Sequence, residues 1–291
     1  MAARILFLLF SAIGPLPCLI ADAQTTSPDR RRDVARTIIG DAVSAEEKVR
    51  RLVNWMQSSF TWSVTDYQTR GVDEIIERRA GNCAELTIVL AALLDDVGLQ
   101  WRWVAELNLQ PESLRRQAAA VEQVQRSGKS ASVFGLAHND HRWLEVRDPI
   151  SGEWFPADPA AGVVGLRQWV RSRLAFGKRD ISPVPAIASI MRDMLVPLAV
   201  VARPSRRSGI IEDRSKHYVI NAFDEAYDQK LRTLSSWPEW NRTIGEVAVL
   251  ARLAFEGQVN LHEHAVALTH ASVVYDKLQG EYALLEAQAV Q

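Results

Sequence analysis

Three residues of this chain are of types that together activate a nucleophile: Cys83, His141 and Asp158. Cys83 follows Gly81-Asn82 and opens a run, Cys83 to Asp95, that is apolar almost all round. Such a run predicts a buried central helix, and Gly98 suits its C-terminal end. The glycine lets the backbone turn into the helix and sets the cysteine in its first turn. There the N–H groups and the positive end of the helix dipole favour an anion. A thiolate is such an anion and is the nucleophilic form of cysteine. The same N–H groups can help hold a developing oxyanion. The competing reading is a small buried apolar residue in a core helix, which free cysteines often are.

His141 opens the segment His141-Arg-Trp-Leu-Glu-Val146. In a strand, His141, Trp143 and Glu145 share one face and Leu144 and Val146 the other. The aliphatic face is expected in the core, and the histidine face in a cleft with Trp143 beside it. Asp158 ends the next predicted strand, in Trp154-Phe-Pro-Ala-Asp-Pro159. If the reversal between the strands centres between Pro149 and Ile150, His141 falls opposite Asp158, with Cβ atoms about 5 Å apart. A carboxylate there can hold the imidazole in one tautomer. A one-residue slip would send the two to opposite faces. Taken singly, His141 also reads as a residue of a polar-faced edge strand, and Asp158 as an Asp-Pro turn.

These residues need elements to position them. Ser44-Ala-Glu-Glu47 has the form of a capping-box start, and Val49, Leu52, Val53 and Met56 follow at helical spacing. Residues 72–79 read as a short helix, and 100–107 as a strand after the cysteine helix. Residues 111–126 read as a polar helical excursion and 129–139 as a loop. Strands are expected over 141–147 and 153–157, joined by the turn-forming Asp148-Pro-Ile-Ser-Gly152. Beyond about residue 176 comes a proline-containing linker (180–185), then a further strand over 196–202. Helices follow over 213–234, 238–255 and 261–287. The reading divides the chain into 1–23, a domain over 24–176 and a mainly helical extension over 177–291.

The 291 residues are 47% apolar and 24% charged, an ordinary globular balance, with nine tryptophans. A net charge of −1 makes no electrostatic case for nucleic acid or an anionic membrane. The short basic clusters, such as Arg30-Arg31-Arg32, read as solvated surface. The N-terminus resembles a secretory signal: Arg4, a short apolar run from Ile5 to Ile13, and Ala21-Asp22-Ala23 as a small-x-small cleavage site. The run is too short for a spanning helix. The expectation is a periplasmic or secreted protein, cleaved after Ala23, with no stable membrane span. Cys18 leaves with that segment, so Cys83 remains alone and forms no internal disulfide. A lone thiol in an oxidising compartment is a liability unless buried or used. The histidines at 262, 264 and 270 diverge on a helix and make no metal cluster.

Taken together, Arg79-Ala-Gly-Asn-Cys-Ala-Glu-Leu86, His141-x-Trp-x-Glu-Val146 and Trp154-x-x-x-Asp158-Pro159 resemble the transglutaminase-like superfamily. The stretch Val97-Gly-Leu-Gln-Trp-Arg-Trp-Val104 is similar to the strand that follows the family's nucleophile helix. The resemblance spans roughly residues 45 to 170 and is specific only as a set. It implies an α+β, papain-related core: a central nucleophile helix packed on an antiparallel sheet. By position, Cys83 would be the nucleophile, His141 the base and then the acid, and Asp158 the orienting carboxylate. The family also uses an upstream side chain in its oxyanion hole. Asn54, Trp62 and Tyr67 are all candidates, and no motif marks one of them.

The implied reaction is acyl transfer on a peptide or carboxamide bond through a thioester, with no metal or cofactor. Resolution by a lysine amine makes a transglutaminase, and resolution by water makes a peptidase or amidase acting on envelope peptides. A catalytically inactive scaffold that binds a partner is the reading from another class. In a further alternative, the C-terminal helices dock an envelope partner. Their apolar positions (Ile244, Val247, Leu250, Leu253) more often belong to the chain's own core.

Overall fold

The computed structural model describes residues 28–63, 68–109, 141–174, 176, 196–204, 211–256, 258–259 and 261–289. The N-terminal signal-like segment, the expected helix at 111–126, the loop at 129–139 and the linker at 180–185 lie outside them. The elements are α1 (Pro28–Ile39), α2 (Ala45–Ser59), β1 (Thr61–Trp62), α3 (Val72–Arg78), β2 (Ala80–Gly81), α4 (Cys83–Asp96) and β3 (Trp101–Leu109). Then come β4 (Arg142–Arg147), β5 (Trp154–Asp158), β6 (Val163–Val164), α5 (Leu166–Arg173), β7 (Val196–Arg203) and β8 (Glu212–Asp213). The chain continues through a π-helical turn (His217–Asn221), α6 (Ala222–Ala226), a 3-10 turn (Leu231–Thr233), α7 (Trp237–Phe255), a second 3-10 turn (Leu261–His264) and α8 (Ala265–Ala289).

Six strands form one sheet in the order β6-β5-β4-β3-β7-β8, antiparallel at every step. The hydrophobic residues divide between its two faces. On one side Leu86, Val89, Leu90 and Leu93 of α4 pack with Val49, Leu52 and Met56 of α2 against Leu144, Val146, Ala157 and Val201. On the other, Val104, Trp143, Leu198 and Val200 meet Trp169 of α5, Tyr218, and Trp240 and Ile244 of α7. The arrangement is an α+β fold with the sheet as the middle layer. Among the described residues no helix is long and apolar enough to cross a membrane.

Local sequence accounts for the elements nearest the site. Ser44 caps α2, its Oγ accepting from the Glu47 N–H at 3.1 Å. The Glu47 carboxylate turns instead to Arg51 Nε at 3.0 Å, so the cap is one-sided. Helix α3 stops at Arg79, which holds a left-handed φ of 49°. Gly98 follows α4 at φ +71°, where a side chain would be strained. At the same end Asp96 receives Arg31 of α1 at 2.6 Å, so part of the basic cluster is a tie between helices.

The β4–β5 hairpin departs from the expected register. Asp148 Oδ1 accepts from the N–H groups of Ile150 and Ser151, and Gly152 closes the loop at φ +76°. The reversal therefore centres between Ile150 and Ser151, with Leu144 opposite Ala157. Trp143, rather than His141, falls across from Asp158. The difference is two residues in register, so His141 keeps the same face and becomes a diagonal neighbour of Asp158.

The histidine face is not the open cleft expected of it. The helices beyond β6 cover it. Trp143 is fully buried, 4.9 Å from Trp169 and 5.8 Å from Tyr218 between ring centroids. Glu145 on the same face is also fully buried, binding Arg102 Nε at 2.6 Å, Arg214 Nε at 3.1 Å and the Tyr218 hydroxyl at 2.7 Å. The helix expected over 213–234 is broken instead. Asp228 and Gln229 take left-handed φ values of 55° and 61°, which ends α6. Ile244 and Val247 are buried in this second core, and the apolar stripe of α7 is largely spent within the chain. Helix α5, not anticipated from its arginine-rich sequence, buries Trp169, Val170 and Arg173.

Candidate functional site

Cys83 is the first residue of α4 and is half-buried. Asn82 caps the helix, its Oδ1 accepting from Ala84 N–H at 2.9 Å and Glu85 N–H at 3.1 Å. Glu85 answers from the third position, its Oε2 accepting from the Asn82 N–H at 3.1 Å. Two N–H groups that the position promised to an oxyanion are thus already given to Asn82. Glu85 is nearly buried and pairs with Arg70 Nη1 at 2.7 Å and, at 3.7 Å, with Arg78. The helix start is therefore a fixed structure. Gly81 has a different reason from the one expected. Its backbone is not left-handed, but a Cβ there would meet the Cβ of Glu85 at 3.0 Å. Only glycine lets the chain pass that close to the helix it is about to enter.

His141 stands one residue before β4 and is 2% exposed; Asp158 ends β5 and is fully buried. His141 Nε2 and Asp158 Oδ2 are 2.6 Å apart. The other carboxylate oxygen accepts from the N–H groups of Ala160 and Ala161 at 3.1 and 3.0 Å. Asp158 is therefore both the turn residue that its proline suggested and the partner of the imidazole. One oxygen does each task. Trp143 stacks near the ring, centroids 5.9 Å apart at 26°. Nδ1, the nitrogen that Asp158 does not hold, has no hydrogen-bond partner among the described residues. Cys83 lies close enough to this ring to act on its charge.

The electrostatics follow from that placement. Burial acts most strongly on His141 and would lower its pKa. The charge and hydrogen bond of Asp158, then the neighbouring Cys83, outweigh it and raise the pKa to about 10. A ring so placed is an imidazolium at neutral pH. Because the thiol and the ring interact, the protons belong to the pair rather than to either residue.

One residue of the cluster was not anticipated. Arg173, the last residue of α5, is 3% exposed and pairs with the buried carboxylate of Glu106 on β3. Burial lowers its pKa to about 9 and the charge of Cys83 opposes that. Even so lowered, the guanidinium is a cation at neutral pH. A buried arginine in a short unpredicted helix leaves no trace in spacing. The only available sign was an acidic residue, Glu106, at an inward-facing position of a strand.

Of the candidates for the upstream oxyanion side chain, Asn54 is exposed on α2. Tyr67 lies outside the described residues. Trp62 is the one brought near: β1 runs parallel to β2, with Trp62 opposite Gly81, two residues before the cysteine.

The sequence model of the transglutaminase-like superfamily matches residues 32–159. A candidate cysteine protease from Cytophaga hutchinsonii is similar at 13% identity and a TM-score of 0.34, over 61% of this chain and 43% of that one. The structure of Rad4-Rad23 bound to a 6-4 photoproduct lesion is similar at 11% identity and a TM-score of 0.35, over 86% of this chain and 54% of that one. The chain thus spans about half the length of these solved structures. The curated proteins give no significant match. Over residues 32–159, a little under half of its length, the chain is similar to the transglutaminase-like superfamily.

Proposed function

We propose that this protein is a thiol enzyme of acyl transfer, in which Cys83 attacks a peptide or carboxamide carbonyl. The supporting observation is how the imidazole is held. Asp158 binds Nε2 at 2.6 Å, and the thiol interacts with the same buried ring. Nδ1 is the nitrogen left for it. In this reading the resting pair is a thiolate beside an imidazolium. The thiolate adds to the carbonyl carbon, and the oxyanion collapses as His141 gives its proton to the departing amine. The product is a thioester on Cys83. His141, now neutral, takes a proton from the incoming nucleophile, and the thiolate leaves. Asp158 keeps the ring in one orientation throughout and stabilises its charged form.

An amine as second nucleophile makes the reaction a transglutamination, and water makes it peptidase or amidase chemistry. The same three residues serve both, so the choice rests on what reaches the thioester. The signal-like N-terminus supports action in the periplasm or outside the cell, on protein or peptide substrates there.

The test is the rate of Cys83 alkylation by iodoacetamide against pH, in the protein and in His141→Ala. Fast alkylation well below pH 8.5 that is lost in the variant supports the ion pair. An ordinary thiol profile in both proteins would move Cys83 to a structural role and favour a binding scaffold.

A further inference from the structure

We infer that Arg173, through its pairing with Glu106, is a positioning residue for the thiol–imidazole pair, so that α5 belongs to the working site. The inference rests on the reading of Cys83 and His141 given above. It begins from the β3–β4 ladder. Trp101 is opposite Val146 and Ala105 opposite Arg142, and the Glu106 N–H donates to the His141 carbonyl at 3.2 Å. Glu106 is therefore the direct cross-strand neighbour of His141 on the same face, with Cβ atoms about 5.5 Å apart. The ring consequently stands between two buried carboxylates, Asp158 on β5 and Glu106 on β3.

Only one of those carboxylates suits the chemistry. Asp158 takes Nε2. A second carboxylate free to turn to Nδ1 would compete with the thiol for that nitrogen and would repel the thiolate. Arg173 is placed to prevent both. It holds the Glu106 carboxylate as an ion pair within the second core, both side chains almost without solvent contact. It also adds a cation whose charge Cys83 feels. The pair is neutral as a unit, so it leaves the imidazolium to act as the thiolate's counter-charge. Most other charged groups near the cysteine, among the described residues, are already engaged. Glu85 on its own helix is tied to Arg70 and Arg78. Arg142 lies on the opposite face of β4 from His141, the α4 side, and is a further buried cation that all the variants below leave in place. Glu145, further along the histidine face, is matched by Arg102 and Arg214. Arg173 lies fourteen residues beyond the segment that matches the family, which ends at Asp158-Pro159.

The experiment is a charge cycle read by the pH midpoint of Cys83 alkylation with iodoacetamide, on the full chain. It compares Arg173→Met, Glu106→Gln, both together, and Arg173→Lys, with folding checked by circular dichroism. Arg173→Met releases Glu106 and is expected to raise the midpoint by about one pH unit, slowing alkylation about tenfold on the acid side. Glu106→Gln leaves an extra cation and is expected to move the midpoint the other way. The double variant returns close to the parent, and Arg173→Lys stays close to it. A purely structural pair would instead lower stability in both single variants without opposite shifts. Midpoints that move the same way, or do not move, in folded variants overturn the inference. If Arg173→Met does not fold, the sign of the Glu106→Gln shift, against an unshifted Arg173→Lys, decides it. A parent protein with an ordinary midpoint near 8.5 overturns the thiol reading itself. A low parent midpoint with unshifted variants overturns only the role of Arg173.

Discussion

Replacing Asp158 by asparagine keeps the side chain's shape and removes its charge. The amide oxygen of the new side chain can still accept from Ala160 and Ala161, so the turn at the end of β5 should survive. The loss falls on the ring. His141 rises from 6.5 to about 10 because Asp158, aided by Cys83, outweighs burial. That difference corresponds to on the order of 5 kcal/mol of preference for the imidazolium. Without the carboxylate, burial dominates and the ring is neutral at pH 7. The thiolate then loses its counter-charge. A thiol with an ordinary pKa of about 8.5 is ionised in about one molecule in 300 at pH 6. Alkylation by iodoacetamide should therefore fall by about 300-fold at pH 6 in Asp158→Asn and approach the parent rate near pH 9. The parent rate should change little across that range. A variant that alkylates as fast as the parent at pH 6, with a native circular dichroism spectrum, would refute the claim that Asp158 sets the charge of His141.

Three further outcomes are expected. Because the folded His141 has a raised pKa, its protonation stabilises the fold fully below pH 6.5 and ceases to do so as pH rises through about 10. The melting-temperature gap between the parent and His141→Gln should narrow from pH 6 to pH 10, and a constant gap would count against the shift. Gly81→Ala places a Cβ 3.0 Å from that of Glu85 and must displace the start of α4. A loss of about 1–3 kcal/mol in urea unfolding is expected, with slower alkylation at pH 7. Glu145→Ala leaves Arg102 and Arg214 without their buried anion and should cost about 3–5 kcal/mol, measured the same way. A cost below about 1 kcal/mol would show that water and Glu212, which both arginines already contact, suffice to hold them.

Much of the candidate site's placement was legible because its residues announce themselves locally. A glycine, an Asn cap and an apolar run mark the start of α4, and alternation marks β4. The hairpin was misplaced by two residues because Asp148 accepts from both Ile150 and Ser151, building a loop two residues longer on the C-terminal side. The side-chain period of two kept His141 and Asp158 on one face despite that. The covering of the histidine face was not legible. Tertiary packing decides it: Trp143, Trp169 and Tyr218 come together from segments far apart in sequence. Helix α5 escaped notice because its eight residues include three arginines, and one of those, Arg173, points its charge inward.

The pairing of β7 with β3 also governs how the protein comes into being. Trp103 lies against Arg203 and Glu106 against Val200, partners almost a hundred residues apart. While the chain is being made, β3 has β4 on one side and a bare edge on the other until residue 203 has emerged. Such distant pairing is slow to form, and an open edge invites strands from other chains. A chain cut at residue 176 would keep Cys83, His141, Asp158 and Arg173 yet expose that edge permanently. It is expected to aggregate rather than work as a smaller enzyme.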